Sequence, residues 1–265
     1  MTEFLIVPQW QGSPSARAML LTDGAAAIAG DLPRSSTTML DVPLEAGESL
    51  GSGVHRLSSL LRVRTALQDS WTEGAVVIGG DCSVTVAALA AADTSDVAVL
   101  WCDAHPDLHS PDTSPSGAFS GMALRAVLGE GEAQVALSPG VPRERVVTVG
   151  VRAIDDEEAG EHERLTSLTP EDLTRADAVL DAIRATGASR VWVHIDVDVI
   201  DPAEFSGVSE AAPFGASASD LVTAIRRLRE EFPLAGATIA GFAPRTPTAA
   251  VDDLGAILRL IGVLA

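Results

Sequence analysis

Six short runs of apolar and β-branched residues alternate with longer stretches of helical spacing, and this alternation constrains the chain more than any other feature. The runs are Phe4 to Val7, Ala75 to Ile78, Val97 to Trp101, Arg145 to Val149, Arg190 to Ile195 and Ala237 to Ala240. Amphipathic patterns lie at Ala16 to Ala29, Leu50 to Leu67, Val84 to Ala92, Gly121 to Leu128, Leu173 to Ala185, Ala218 to Glu231 and Val251 to Leu264. Strands that follow one another through helices pair in parallel, and helices on both faces bury the sheet. The pattern therefore implies an α/β fold of βαβ units.

No linker, internal repeat or low-complexity tract interrupts the 265 residues, so a single domain spanning 1–265 is expected. The segments Asp107 to Ser120 and Asp201 to Ser219 are rich in Ser, Pro and Gly and directly follow expected strands. They fall outside the carboxyl ends of the strands, where open α/β sheets hold ligands. Charge narrows the ligand. Against 37 acidic residues stand 18 basic ones, all Arg, for a formal charge of −19. Such a balance repels polyphosphates and argues against a nucleic-acid partner. No apolar run reaches the length of a membrane span, and the segment from Met1 to Pro8 lacks the basic flank of a signal peptide. The expectation is a cytoplasmic protein with no membrane partner, its Cys82 and Cys102 present as reduced thiols.

The carboxylates are grouped. Trp101-Cys102-Asp103-Ala104-His105-Pro106-Asp107-Leu108-His109 places two Asp and two His immediately after an apolar strand, and the alternate positions Asp103, His105 and Asp107 can turn toward one pocket. A second strand runs into His194-Ile195-Asp196-Val197-Asp198-Val199-Ile200-Asp201-Pro202, with Asp where a buried parallel strand should be apolar. Burying unpaired carboxylates is costly, so Asp103, Asp107, Asp196 and Asp198 together require a counter-charge. No nearby run of Arg supplies it. Divalent cations would.

With Gly79-Gly80-Asp81-Cys82-Ser83, these motifs make the chain resemble the arginase/agmatinase (ureohydrolase) family. Its members carry Gly-Gly-Asp-His-Ser, Asp-Ala-His-x-Asp and Asp-x-Asp-x-x-Asp-Pro in the same order. The resemblance implies a three-layer α/β/α architecture with a central, mainly parallel sheet and a homotrimer or homohexamer. It also implies two divalent ions, Mn²⁺ in the family, that activate water against a linear C–N bond of a small guanidino substrate. Carried over residue by residue, Asp103 and Asp196 bridge the ions, Cys82 and Asp107 complete one position, and His105 and Asp198 complete the other. Asp155 and Glu158, in the stretch from Gly150 to Glu158, resemble the loop acids that hold a substrate's α-amino group. Ser116 matches a position that contacts the substrate's amino-acid end.

Three departures separate the chain from that pattern. Cys82 stands where the family has a His ligand, Ser120 where arginases carry a proton-shuttling His, and Gly241 where a Glu binds the guanidinium. A thiolate at Cys82 makes that position more negative and softer, favouring Zn²⁺ or Fe²⁺ there over Mn²⁺. The alternative is a buried, non-ligating Cys82 beside a weak metal position. A Cys here also resembles family variants that cleave N-hydroxyarginine. His109, two residues after Asp107, is the candidate to replace the missing shuttle, so Asp107 and His109 are the expected catalytic groups. His55, His162 and His194 are read as structural. Loss of the Glu at 241 predicts poor binding of arginine, to be improved by Gly241→Glu if the backbone there accepts a side chain. An inward Arg245 would instead favour a carboxylate or a neutral amide. The expected protein is a metal-dependent amidinohydrolase that is not a standard arginase. A non-guanidino amide or amidine substrate, or a non-catalytic binding or assembly role, is the alternative.

Overall fold

The computed structural model describes residues 2–175 and 177–265. Met1 and Ala176, the latter inside the expected helical stretch Leu173 to Ala185, lie outside the described residues. The strands are β1 (Phe4–Ile6), β2 (Thr37–Met39), β3 (Val76–Ile78), β4 (Val97–Cys102), β5 (Val146–Val149), β6 (Thr166–Leu168), β7 (Arg190–Asp196) and β8 (Leu234–Ala240). They form one sheet in the order β2-β1-β3-β8-β7-β4-β5-β6, and every neighbouring pair is parallel. The helices are α1 (Leu20–Gly30), α2 (Leu57–Ser70), α3 (Ser83–Leu89), α4 (Ala123–Val127), α5 (Asp156–His162), α6 (Ala178–Ala185), α7 (Ala218–Arg229) and α8 (Pro247–Leu264).

Strand alternation splits the core into two layers. From β4, Ala98, Leu100 and Cys102 pack with the apolar faces of α1, α6, α7 and α8. Val97, Val99 and Trp101 face the other way, onto α2, α3 and α4. The three-layer α/β/α architecture follows. All six expected strands are present, with β8 starting three residues earlier than its apolar run suggested. The two strands that the pattern did not show, β2 and β6, are the edges of the sheet.

Chain order and spatial order disagree at the centre. After β3 the chain skips across to build β4, β5 and β6, then returns with β7 and β8 to fill the gap. The carboxyl ends of β3, β8, β7 and β4 therefore lie side by side, at the kind of switch point where α/β sheets open a crevice. Among the described residues no helix is long and apolar enough to cross a membrane.

Candidate metal centre and substrate cavity

Each chemically active side chain arrives from the end of a central strand. Asp103 follows β4, its N–H bonded to Val149 O at 3.0 Å, and its Oδ1 accepts the His105 N–H at 2.7 Å. Asp107 closes this turn with φ at 52°, in the left-handed region that L-residues seldom occupy. Asp196 ends β7, and its Oδ1 accepts the Asp198 N–H at 3.0 Å to start a single helical turn. Asp198 Oδ1 then accepts the Ala104 N–H at 3.0 Å, tying the two motifs together. Cys82 sits where β3 passes into α3, with Sγ 3.1 Å from Asp196 Oδ2 and 3.7 Å from Asp103 Oδ2. His105 Nδ1 lies 3.0 Å from Asp198 Oδ2 and 3.5 Å from Asp103 Oδ1. All six expected ligand residues thus line one cavity of about 690 Å³.

Protein groups alone cannot hold this cluster in its ionised form. Burial raises Asp107 and Asp196 well above the ordinary carboxylate range, and the charge of Asp103 pushes both the same way. Burial and the charge of Asp103 lift Asp198 to about 6. Burial also holds the Cys82 thiol protonated, helped by Asp107, Asp196 and Asp103. Burial opposes charge on His105, but hydrogen bonds to Asp103 and Asp198 outweigh it and carry the imidazole to about 12. Burial likewise works to raise Asp103, yet the hydrogen bond and charge of His105 hold it below the usual carboxylate range. Two buried atoms, Asp107 Oδ2 and His194 Nε2, have no hydrogen-bond partner. Carboxylate oxygens, imidazole nitrogens and a thiol around unpartnered buried atoms fit divalent cations, which would replace the protons. Atoms of Asp103, His105 and Asp198 are close enough to share one ion, and so are those of Cys82, Asp103 and His194. Asp103 belongs to both groups.

Toward the rim, His109 Nε2 stands 3.1 Å from Asp155 Oδ2 and 3.3 Å from Glu158 Oε2, while its Nδ1 lies 3.2 Å from Thr113 Oγ1. The residue expected to move protons is therefore held by the two acids expected to hold substrate. Glu158 is buried and its Oε1 accepts the Leu108 N–H at 2.7 Å, whereas Asp155 is exposed at the start of α5. Ser116 is exposed at the mouth, its Oγ accepting the Ala118 N–H at 3.2 Å, and Ser120 also lines the cavity.

Two conditional readings are decided here. Gly241 lines the cavity with φ at 83°, and a Cβ there would press into the carboxylate of Asp196, closer than real Cβ contacts come. The backbone does not accept a side chain, so Gly241→Glu cannot restore a guanidinium-binding carboxylate. Arg245 is exposed and does not line the cavity, so it does not select for an anionic substrate. The Arg among the described lining residues is instead Arg152, and all five of its N–H donors are taken. Nε bonds Pro213 O, one terminal nitrogen bonds Gly150 O and Val199 O, and the other bonds Asp198 O and Ala212 O. Sequence reasoning assigned no role to Asp81, whose buried Oδ2 is unpartnered beside the cavity, or to Glu210, which lies 3.8 Å from His105 Nε2. Glu210 sits in a loop with no local signal. His194 had one, because it lies two residues before Asp196 on the same strand face.

The sequence description of the Arginase family matches residues 18–257 of the chain. An arginase from Entamoeba histolytica is 29% identical over 209 residues, which cover 73% of this chain and 71% of that protein. An N(omega)-hydroxy-L-arginine amidinohydrolase from Streptomyces lavendulae is 35% identical over 133 residues, covering 48% of this chain and 46% of its own length. In three dimensions the arginase of Bacillus subtilis superposes with a TM-score of 0.81 at 21% identity, over 100% of this chain and 98% of that one. The proclavaminate amidino hydrolase of Streptomyces clavuligerus gives 0.72 at 18% identity, over 100% and 93%. At these identities the structural likeness speaks for the fold, while the sequence match over 18–257 decides the family. The chain belongs to the arginase family.

Proposed function

We propose that the protein is a metal-dependent hydrolase of a linear C–N bond in a guanidino or N-hydroxyguanidino compound, and not a standard arginase. One observation carries this reading: four buried Asp, a buried Cys and a half-buried His converge on the ends of the central strands, and among the described residues no Arg pairs with their carboxylates. Asp103 and Asp196 would be shared between two divalent ions, with Cys82 and Asp107 on one side and His105 and Asp198 on the other. When bound, the ions supply the counter-charge and Lewis acidity that attack of water on an amidine carbon requires.

The chain's own groups handle the rest of the substrate. Asp155 and Glu158 offer acceptors at the rim for an amino group, Ser116 offers a hydroxyl at the mouth, and His109 Nε2 can carry a proton between the cavity and these acids. Glu210 adds a carboxylate to the cavity rim beyond the ligand set, which favours a substrate with cationic or N–H donor groups. Gly241 supports a second reading of the same site, a neutral amide, because it leaves no carboxylate where a guanidinium would pair.

The test is a screen of guanidino, N-hydroxyguanidino and formimino compounds with protein loaded with Mn²⁺, Zn²⁺ or Co²⁺. Metal-dependent release of urea or hydroxyurea is expected, with arginine a poor substrate. Ammonia from a neutral amide alone would move the assignment to the second reading. Metal retention with no product from any compound would point to a non-catalytic role.

A further inference from the structure

The strand periodicity that delivers Asp196 to the cavity delivers His194 beneath it, on the same face of β7. The ring is fully buried and its position is fixed on every other side. Thr85 Oγ1 lies 2.7 Å and Thr238 Oγ1 3.1 Å from Nδ1, and the Trp101 ring packs against it with centroids 3.8 Å apart. Nε2 has no hydrogen-bond partner. It faces Asp103 Oδ2 at 3.9 Å, too far to donate, and it falls within 4.8 Å of the Cys82 and Asp103 donor atoms. A buried ring nitrogen left without a partner needs an explanation, and a thiol and carboxylate facing it supply one.

We propose that His194 Nε2 is a ligand of the ion held by Cys82. The imidazole missing at position 82 would come from β7 and join Cys82 Sγ, Asp103, Asp107 and Asp196 around that ion. This rests on the metal-centre reading above and extends it, since the ligand motifs include no residue at position 194.

Ligand bonds of about 2.0 to 2.3 Å put neighbouring donor atoms roughly 3 to 3.7 Å apart. The observed 3.7 Å from Cys82 Sγ to Asp103 Oδ2 and 3.9 Å from His194 Nε2 to Asp103 Oδ2 need to contract by only a few tenths of an ångström. Ligation through Nε2 requires the ring proton on Nδ1, and Thr85 Oγ1 is placed to accept it, the outer partner that a ligating His uses. A neutral imidazole adds no charge to a set that already carries a thiolate. Sulfur and nitrogen donors also make this position suited to Zn²⁺ or Co²⁺, whereas the Asp103, His105 and Asp198 position is richer in oxygen.

The experiment is proton NMR on wild-type protein loaded with Co²⁺, because an imidazole bound to Co²⁺ shows its remaining ring N–H as a strongly shifted, exchangeable signal. Two such signals are expected, from His105 and His194, together with a sulfur-to-cobalt charge-transfer band from Cys82. His194→Gln should remove one signal and weaken one ion by at least about tenfold. A single shifted N–H in wild-type protein that holds two ions and shows the band would overturn the proposal and leave the metal-centre reading standing. Two signals that both survive in folded His194→Gln would overturn it equally. Retention of no cobalt at all would overturn the metal-centre reading with it. The wild-type spectrum is decisive even if the variant fails to fold.

Discussion

At position 241 the backbone decides the chemistry. Gly241 occupies the left-handed region, and a Cβ would meet Asp196 before any longer side chain could reach substrate. Gly241→Glu should therefore lose bound metal and thermal stability, as metal analysis and melting would show; a gain in guanidinium turnover with metal retained would contradict this. Sequence supplied the residue type at 241 but not its φ, and without φ the substitution reads as a repair. Cys82 is a different case. Its side chain touches two carboxylates in full burial, so Cys82→His replaces a soft donor with a larger, harder one. The metal preference should shift from Zn²⁺ or Co²⁺ toward Mn²⁺, at some cost in stability from overpacking. Competitive metal titration checks this, and an unchanged preference would mean that Cys82 is not a ligand.

At the scale of elements, what was legible depended on burial. The central strands read as apolar runs because both faces are covered, and the motif residues could be placed at their ends. Edge strands β2 and β6 are three residues each with mostly exposed side chains, so neither an apolar run nor a clean alternation marks them. Helix α5 begins with Asp156, Glu157 and Glu158, acids that suit a helix N-terminus but give no apolar stripe. Long-range contacts were out of reach altogether, and Arg152 shows their weight. Its five donors clamp the 212–213 loop and the backbone of Asp198 to the end of β5. Lys offers three donors from a point charge and cannot reproduce that fork. Arg152→Lys should cost about 1 to 3 kcal/mol through carbonyls left unpaired and weaken the ion beside Asp198. Denaturant unfolding and metal titration read the two effects, and wild-type values in both would show the clamp to be dispensable.

Across the whole molecule, the acidic surplus and the metal cluster act together on stability. In metal-free protein, Asp198 near 6 and the raised Asp107 and Asp196 bind more protons when folded than when unfolded, and His105 near 12 does the same above its ordinary value. Where the folded state binds more protons, stability falls as pH rises. Chelated protein should therefore melt at a higher temperature at pH 5 than at pH 8, by about 2 to 4 °C for each kcal/mol regained. Metal-loaded protein should show the reverse, because protons compete with the ions for the same atoms. A chelated protein whose melting temperature rises from pH 5 to pH 8 would count against the buried cluster. The most direct test is the metal content per chain of wild-type protein and Asp196→Ala after loading and removal of free ions. Two ions in the wild type and no more than one in the variant are expected, since Asp196 is shared; two tightly held ions in Asp196→Ala, or none in the wild type, would contradict the binuclear centre.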